Sequence, residues 1–459
     1  DRYDRPVTPP DIDADLVVIG FGKGGKTLAA TLAKQGKRVV MVEQSERMYG
    51  GTCINIGCVP TKSMVFRAEQ HSDYATAVHA TADLTAELRA INLNMLDSLS
   101  TATVLTGPAR FLDPHTVEVR VADATVTVGG RTIVVGTGSE PVWPDIPGLR
   151  GNPRAATSTD LLETEELPRR LVVLGGGYVG LEFAAMYASY GSEVVVLERH
   201  ADVLGSEDDD VAEAARDVLG KAGVTIITSA QVTRVEDGAD AAMVHYAKDG
   251  VAQPLPADKV LVALGRRPVT AELGLDAAGI VTGPDGAIVV DEHLRTSQPH
   301  VFAVGDVNGG PQFTYISLDD YRIVLDQLAG NMTRSTADRV AVPYVLFMTP
   351  PLARVGITQR EAEASGLAVK SAAMRVLDLA TVPRARIVSE THGMMKVVVD
   401  AGTDQILGAA LLSYDSHEVV NLVALAMRHG ITATALRDGI YTHPSMSEAF
   451  NQLLGALHP

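Results

Sequence analysis

Apolar residues in this chain fall in short unbroken runs, separated by glycine-bearing turns and alanine-rich helical stretches. Asp15-Leu16-Val17-Val18-Ile19 is one such run, too short for a helix and continuous enough for a strand buried on both faces. Gly20-Phe21-Gly22-Lys23-Gly24-Gly25 follows, and then a helix to about Gln35. Arg38-Val39-Val40-Met41-Val42 reads as the next strand, ending at Glu43. Strand, glycine turn, helix, strand and terminal acid make a dinucleotide fingerprint. Glycines permit the tight turn, the helix N-terminus faces a pyrophosphate and the acid grips a ribose.

The same loop also satisfies a second pattern. Gly20 to Thr27 reads Gly-x-x-x-x-Gly-Lys-Thr, the P-loop of nucleoside-triphosphatases. On its own it does not choose between the two. An internal repeat does. Leu171-Val172-Val173-Leu174, Gly175-Gly176-Gly177-Tyr178-Val179-Gly180, a helix to about Tyr190 and the strand Glu193–Leu197 before Glu198 repeat the whole unit. The offset is constant at 155 residues, as in 175 against 20, 177 against 22, 180 against 25 and 198 against 43. The second copy has Leu181-Glu182 where a P-loop needs Lys and Ser/Thr, so two dinucleotide sites are expected.

Further on, Arg131–Val135 and Val260–Leu264 are buried strands with glycine exits, and Val301–Val304 runs into Gly305-Asp306. From about Val340 the pattern becomes α+β, with strands near Met394–Asp400 and Ile406–Ser413 and a helix near Glu418–His429. The fold class expected is α/β, two Rossmann-like domains plus a C-terminal α+β domain. The expected boundaries are a flexible tail over 1–12, a first domain over 13–148, a second over 149–268, a return to the first over 269–338 and the C-terminal domain over 339–459.

Composition narrows the function classes. Hydrophobic residues at 46% and charged residues at 21% are ordinary for a globular protein, and a net charge of −17 argues against nucleic acid or anionic membrane as partner. No apolar run is long enough to span a bilayer, and the polar, proline-bearing start reads as a tail and not a signal peptide. A cytoplasmic setting is expected. No metal site is expected beyond the chemistry of the cysteines.

Those cysteines number only two, in Gly51-Thr52-Cys53-Ile54-Asn55-Ile56-Gly57-Cys58-Val59-Pro60-Thr61-Lys62. Their spacing points to use as a pair. Two ligands are too few for structural zinc without recruited histidines, and a staple across so short a spacer adds little stability. Residues five apart on an ideal helix have Cα atoms roughly 8–9 Å apart, whereas a disulfide needs less than about 7 Å. Cys53 is therefore expected on irregular backbone before or at a distorted helix start, with Gly57 supplying the freedom. Pro60 suits an early helical position. Cys58 is then near a helix N-terminus, where the dipole favours thiolate.

These features resemble the pyridine nucleotide-disulfide oxidoreductases over roughly Asp13 to Phe450. Within that family, Tyr49-Gly50-Gly51, Gln312–Arg322, Phe347-Met348-Thr349-Pro350-Pro351, Pro383-Arg384-Ala385-Arg386 and His443-Pro444-Ser445-Met446-Ser447-Glu448 are similar to bacterial reactive-chlorine-response flavoproteins, described as cupric or hypothiocyanous acid reductases. The resemblance implies FAD on the first fingerprint, a nicotinamide nucleotide on the second and a homodimer with each active site shared between subunits. It implies that Cys58 faces the flavin and Cys53 meets the substrate. It places Lys62 by the flavin, paired with Glu182, and brings His443, oriented by Glu448, from the partner subunit as acid–base. FAD contacts are implied at Gly20, Gly22, Gly25, Glu43, Gly51, Thr52, the Ala109 backbone, Gly138 and Asp306; nucleotide contacts at Gly175, Gly177, Gly180, Glu198, Arg199 and Gly265.

Glu198 favours NADH by repelling a 2′-phosphate. Arg199 and His200 pull toward NADPH, and the acidic run Glu207-Asp208-Asp209-Asp210 tilts back, though its ordinary reading is a solvated helix start. NADH is the preferred expectation, with NADPH second. The expected substrate is a small-molecule oxidant such as hypothiocyanous acid or Cu(II), in oxidative-stress defence. Dihydrolipoyl dehydrogenase and glutathione-type reductases share these residues; against them, Tyr315, Asp319, Asp320 and Tyr321 predict a narrower, more polar pocket. Mercuric reductases end in a vicinal Cys pair, absent from Leu453–Pro459. A thiol redox sensor or copper-binding module is the non-enzymatic alternative, but Met394-Met395 on a strand reads as core.

Overall fold

The computed structural model describes residues 10–458. Of the expected tail, residues 1–9 lie outside the described part. Asp11 is already tied down, its carboxylate accepting from the Thr127 amide (2.8 Å) and hydroxyl (2.9 Å), and the first strand starts at Ile12. The chain folds into two compact units. The first holds the chain up to Met64, then Thr76–Val142 and Gly265–Asp338; the second holds Val65–Ala75, Trp143–Leu264 and everything from Arg339.

In the first unit, strand β1 (Ile12–Ile19) lies parallel between β2 (Val39–Glu43) and the long strand Ala124–Val135. Ala102–Thr106 extends the sheet beyond β2, and Val301–Ala303 pairs with the far end of Ala124–Val135. The near end of that strand continues into an antiparallel layer with Thr116–Val121 and Ala109–Phe111. Alternate residues explain the unbroken apolar runs. Val17, Ile19, Val40, Val42 and Ile133 face one buried cluster, while Leu16, Val18, Val39, Met41 and Val134 face another that includes Leu28 and Leu32 of helix α1 (Lys23–Lys34).

The second unit repeats this plan. Arg170–Leu174, Glu193–Leu197, Val224–Ile227, Lys259–Val262 and Ala155–Ala156 form a parallel sheet, with an antiparallel layer of Gln231–Glu236, Ala242–Lys248 and Val251–Ala257. A separate five-stranded antiparallel sheet runs in the order Tyr344–Leu346, Leu352–Gly356, Ile406–Leu412, Met394–Asp400 and Val369–Arg375. Helix Ser416–Arg428 covers it with Val419, Val420 and Val423. Met394 and Met395 are buried in this sheet, as core residues should be.

The acidic run departs from its expected role. Glu207 and Asp208 are not solvated: the Glu207 carboxylate meets the buried Arg354 guanidinium at 2.7 Å, and Asp208 meets Lys396 at 3.1 Å. Asp208 also accepts the amides of Gln359 and Arg360 (both 3.0 Å). Asp210 meets Lys396 as well (3.0 Å), so three of the four acids are spent on fastening the helix Asp209–Lys221 to the antiparallel sheet, and they carry no argument about nucleotide choice.

Candidate active site

The constant offset between the fingerprints extends to hydrogen bonds. Glu43 accepts from the Phe21 amide (3.0 Å) and the Ser45 amide (3.3 Å); Glu198 accepts from Gly176 (2.7 Å) and His200 (2.8 Å). Gly20 donates to Val42 (2.8 Å) as Gly175 does to Leu197 (2.9 Å). Gly20 and Gly175 have φ of 102° and 104°, a conformation that side chains resist, and a Cβ at either would strike the Gly136 or Ala263 carbonyl oxygen at 2.3 or 2.5 Å. Each acid therefore braces the turn that leads into its own helix. Burial pushes the Glu43 carboxyl up despite the amides it accepts. Burial also opposes ionisation of Glu198, but the His200 and Gly176 amides and the His200 ring (Nδ1 at 2.5 Å) outweigh it and hold the carboxyl below its ordinary value.

The redox segment lies on the first turn. A Cβ on Gly51 would come within 2.7 Å of Gly22 Cα, so the segment rests directly on the fingerprint backbone. Cys53 sits on the one-turn helix α2 (Thr52–Asn55), and α3 (Cys58–Glu69) opens at Cys58 after a break at Ile56-Gly57. The distortion expected from disulfide geometry is thus a full interruption between two helices, with Cys53 inside the first. Both cysteines are thiols. Cys58 is pulled down to about 6 by a hydrogen bond from Cys53, then by the Thr314 hydroxyl (3.4 Å) and the Lys62 ammonium, against the cost of desolvation. Cys53 is pushed up, first by donating that hydrogen bond and then by burial. The two shifts run in opposite directions, so the thiolate is favoured on Cys58 and disfavoured on Cys53.

Around this pair, Thr52 opens α2, and Gly138, with φ of 71°, would bring a Cβ to 4.0 Å from the Thr52 hydroxyl. Asp306 accepts from the Ser139 hydroxyl (2.7 Å), which in turn takes a bond from Arg266 Nε (2.9 Å). Ala109 begins an edge strand two residues after Gly107, whose amide donates to the Glu43 carbonyl (2.8 Å). The first turn, Glu43, Thr52, Gly138 and Asp306 are all in one unit, and a glycine-lined backbone with an acid at either end fits an FAD. In the second unit, Gly177 caps the helix Tyr178–Ser189, and a Cβ there would meet nothing within 4 Å, leaving backbone open to a pyrophosphate. Gly180 packs under Gly175, and Arg199 is exposed beside Glu198. Gly265 opens the third segment of the first unit, its carbonyl accepting from Val142 (3.0 Å).

Lys62 and Glu182 fall in different units; Lys62 donates to Thr61 Oγ1 (3.2 Å), and the buried Glu182 accepts from the Phe347 amide (3.3 Å). His443 Nδ1 is 2.8 Å from Glu448 Oε1, and the Ser445 amide holds the other carboxylate oxygen at 2.8 Å. This orients the ring with Nε2 on its opposite edge. Burial raises the Glu448 carboxyl, but Ser445 and His443 bring it below its ordinary value.

The expected polar pocket after Asp306 is not built from all four named residues. Asp320 is fully buried and accepts from the Gly305 amide (2.6 Å), Asp319 pairs with Arg334 (2.8 Å) and Tyr321 reaches Thr31 (3.2 Å). Only Tyr315, stacked on Phe313, is exposed. Asp320 instead fixes the turn that carries Asp306. Sequence reasoning passed over Ser139, Arg266 and Thr314 as site residues; nothing local marks them, because their partners lie between 127 and 256 positions away.

Two dinucleotide turns, a helix-break dithiol and a carboxylate-oriented histidine define a flavin- and pyridine nucleotide-dependent disulfide oxidoreductase. Residues 14–320 match the family described as pyridine nucleotide-disulphide oxidoreductase, and residues 342–454 match its dimerisation domain. The chain is 46% identical over 437 residues to a probable pyridine nucleotide-disulfide oxidoreductase, RclA of Escherichia coli (strain K12), covering 95% of this chain and 98% of that one. It is 33% identical to a mercuric reductase of Staphylococcus aureus, covering 95% and 81%. The solved Cu(II) complex of the HOCl-induced flavoprotein disulfide reductase RclA from Escherichia coli matches with a TM-score of 0.93 at 45% identity, over 96% of this chain and 99% of that one. The chain belongs to the pyridine nucleotide-disulphide oxidoreductase family. It is an oxidoreductase whose cofactors are FAD and a pyridine nucleotide, and no described helix is long and apolar enough to cross a membrane.

Proposed function

We propose that this chain reduces a small electrophilic oxidant, such as hypothiocyanous acid, through the Cys53–Cys58 pair, as a homodimeric cytoplasmic defence enzyme using NADH in preference to NADPH. The observation that carries the reading is the dithiol at the break between two helices, seated on the first glycine turn, with Thr314 3.4 Å from Cys58 and the surroundings favouring the thiolate there. When bound, FAD supplies the two-electron relay from reduced nicotinamide to the disulfide. Gly20, Gly22, Gly25, Glu43, Gly51, Thr52, Gly138, Asp306 and the Ala109 backbone would hold it, and Lys62 and Glu182 are the lysine and the acid that the family resemblance assigns to it. Gly175, Gly177, Gly180, Glu198, Arg199 and Gly265 would hold the nucleotide.

The partner subunit's His443 takes the Cys53 proton, and the Cys53 thiolate attacks the sulfur of hypothiocyanous acid. An S–S bond forms, the S–O bond breaks, and the departing hydroxide takes the proton from the imidazolium and leaves as water. The Cys58 thiolate then attacks Cys53, releases thiocyanate and closes the disulfide. Glu448 keeps the ring oriented and steadies its charge between the two transfers.

A Cu(II) acceptor is the second reading, favoured by the Cu(II) complex of the similar Escherichia coli protein. Here the Cys53 thiol and the Cys58 thiolate together give one electron to each of two Cu(II) ions, leaving two Cu(I), the disulfide and one proton. Nicotinamide oxidation is to be measured with hypothiocyanous acid, Cu(II), Hg(II), oxidised glutathione and lipoamide, on wild type and Cys53→Ser. Hypothiocyanous acid is expected to turn over fastest, with turnover lost in the variant. Lipoamide preferred by orders of magnitude, or a variant as active as wild type, would sink the reading.

A further inference from the structure

The lysine of the P-loop-like stretch has no part in the chemistry above, yet it is buried. Lys26 on α1 is 4% exposed, and its ammonium donates to the Gly50 carbonyl (3.1 Å) and to Asn92 Oδ1. The next P-loop residue is occupied elsewhere, Thr27 donating to the Lys23 carbonyl (2.6 Å). The stretch is therefore no triphosphate cradle; its lysine points at the redox segment.

That segment needs support. Gly50 and Gly51 both have positive φ (101° and 78°); the Gly51 carbonyl takes the first amide bond of α2, from Asn55 (3.3 Å), while Gly50 lies outside any helix or strand. Three consecutive carbonyls ahead of Cys53 each take a side-chain donor: Tyr49 from Asn55 Nδ2 (3.0 Å), Gly50 from Lys26 and Gly51 from Asn55 Nδ2 (2.9 Å). Helix α4 (Tyr74–Asp97) steadies both donors, because Arg89 Nε bonds Asn55 Oδ1 (2.8 Å) and Asn92 faces Lys26. Lys26 pairs with no carboxylate among the described residues, and an unpaired buried cation is costly to keep. The charged and titratable groups that act on it are Lys23 on its own helix and Cys53 on the segment; Cys58 and Lys62 act on each other next to Cys53, and Arg89 holds Asn55. Burial first, and Lys23 second, pull Lys26 down to about 8, while Cys53 opposes them.

We propose that Lys26 is a positioning residue for the redox pair, holding the Gly50 carbonyl while its charge favours the Cys53 thiolate that attacks substrate. The proposal rests on the dithiol reading but not on any acceptor, so its test needs none. Reduced holoprotein is alkylated with iodoacetamide near pH 7.5, and labelling of Cys53 and Cys58 is followed separately by peptide mass spectrometry. In Lys26→Met, Cys53 labelling is expected to slow about tenfold, the effect of one pKa unit on the thiolate fraction, while Cys58 labelling changes less than about twofold, on the same scale. Lys26→Gln keeps a neutral donor for Gly50, so it guards against a fold defect; it is expected to retain the wild-type melting temperature and show the same slow Cys53. Wild-type Cys53 labelling in a folded variant of either kind would overturn the assignment. Equal slowing of both thiols would reduce Lys26 to general support and overturn it as well.

Discussion

Thr314 gives the sharpest test of how the thiolate is held. Its hydroxyl lies 3.4 Å from Cys58 Sγ and ranks after the Cys53 hydrogen bond among the groups that bring Cys58 from 9.0 to about 6. Thr314→Val keeps the shape and removes the donor. A hydrogen bond to a charged group contributes about 1.5–3 kcal/mol, and Cys58 is exposed enough that solvent screening cuts this to the lower end, about one pKa unit. The perturbation is best read in a Cys53→Ser background, where a single thiol remains and the serine hydroxyl still donates. At pH 6.5 a thiol titrating near 6 is about three-quarters thiolate and one near 7 about one-quarter, so iodoacetamide labelling of Cys58 should slow about threefold. The sign is fixed: the thiolate is present above its pKa, so the slowing is about threefold near pH 6–7, grows toward about tenfold in acid and vanishes in alkali. A rate–pH curve that coincides with the background protein across this range would refute the idea that Thr314 stabilises the thiolate.

Three other outcomes follow from the geometry. Arg354→Leu leaves the Glu207 carboxylate buried without its 2.7 Å partner and should destabilise the second unit by about 3–5 kcal/mol; Trp143, the only tryptophan, reports this in urea, and adding Glu207→Leu should recover most of it, whereas a loss below about 1 kcal/mol would mean the pair behaves as a surface one. Glu198→Gln keeps an acceptor for Gly176 but loses the charge, so the NADPH-to-NADH ratio of kcat/KM should rise about tenfold; an unmoved ratio assigns the preference elsewhere. Because Ser445 and His443 hold the Glu448 carboxyl below its ordinary value, the pair persists at neutral pH and is lost as pH falls through the acid range. Glu448→Gln should accordingly lower oxidant turnover by about 10–100-fold with anaerobic reduction by NADH unchanged, and equal loss in both half-reactions would remove His443 from acid–base work.

What the sequence determined by itself is everything that repeats at short range. Strand runs, the glycine turns, the acids at Glu43 and Glu198 and the two-cysteine spacing are written within about one βαβ unit, where helix and strand geometry convert spacing into position. The constant offset between the fingerprints settled the P-loop ambiguity because a coincidence does not recur in register. Tertiary structure decided which distant groups meet. Thr314 reaches Cys58 from 256 positions away and Ser139 reaches Asp306 from 167, contacts that depend on how layers pack and leave no periodic trace. It also reversed two polar readings. Glu207 and Asp208 look like a solvated helix start and Asp320 like a pocket wall, yet all three are buried, because a charge can leave water where packing brings it a partner: Arg354, Lys396 and the Gly305 amide. Polarity along a chain reports what a residue requires, and only the fold shows whether solvent or another residue supplies it.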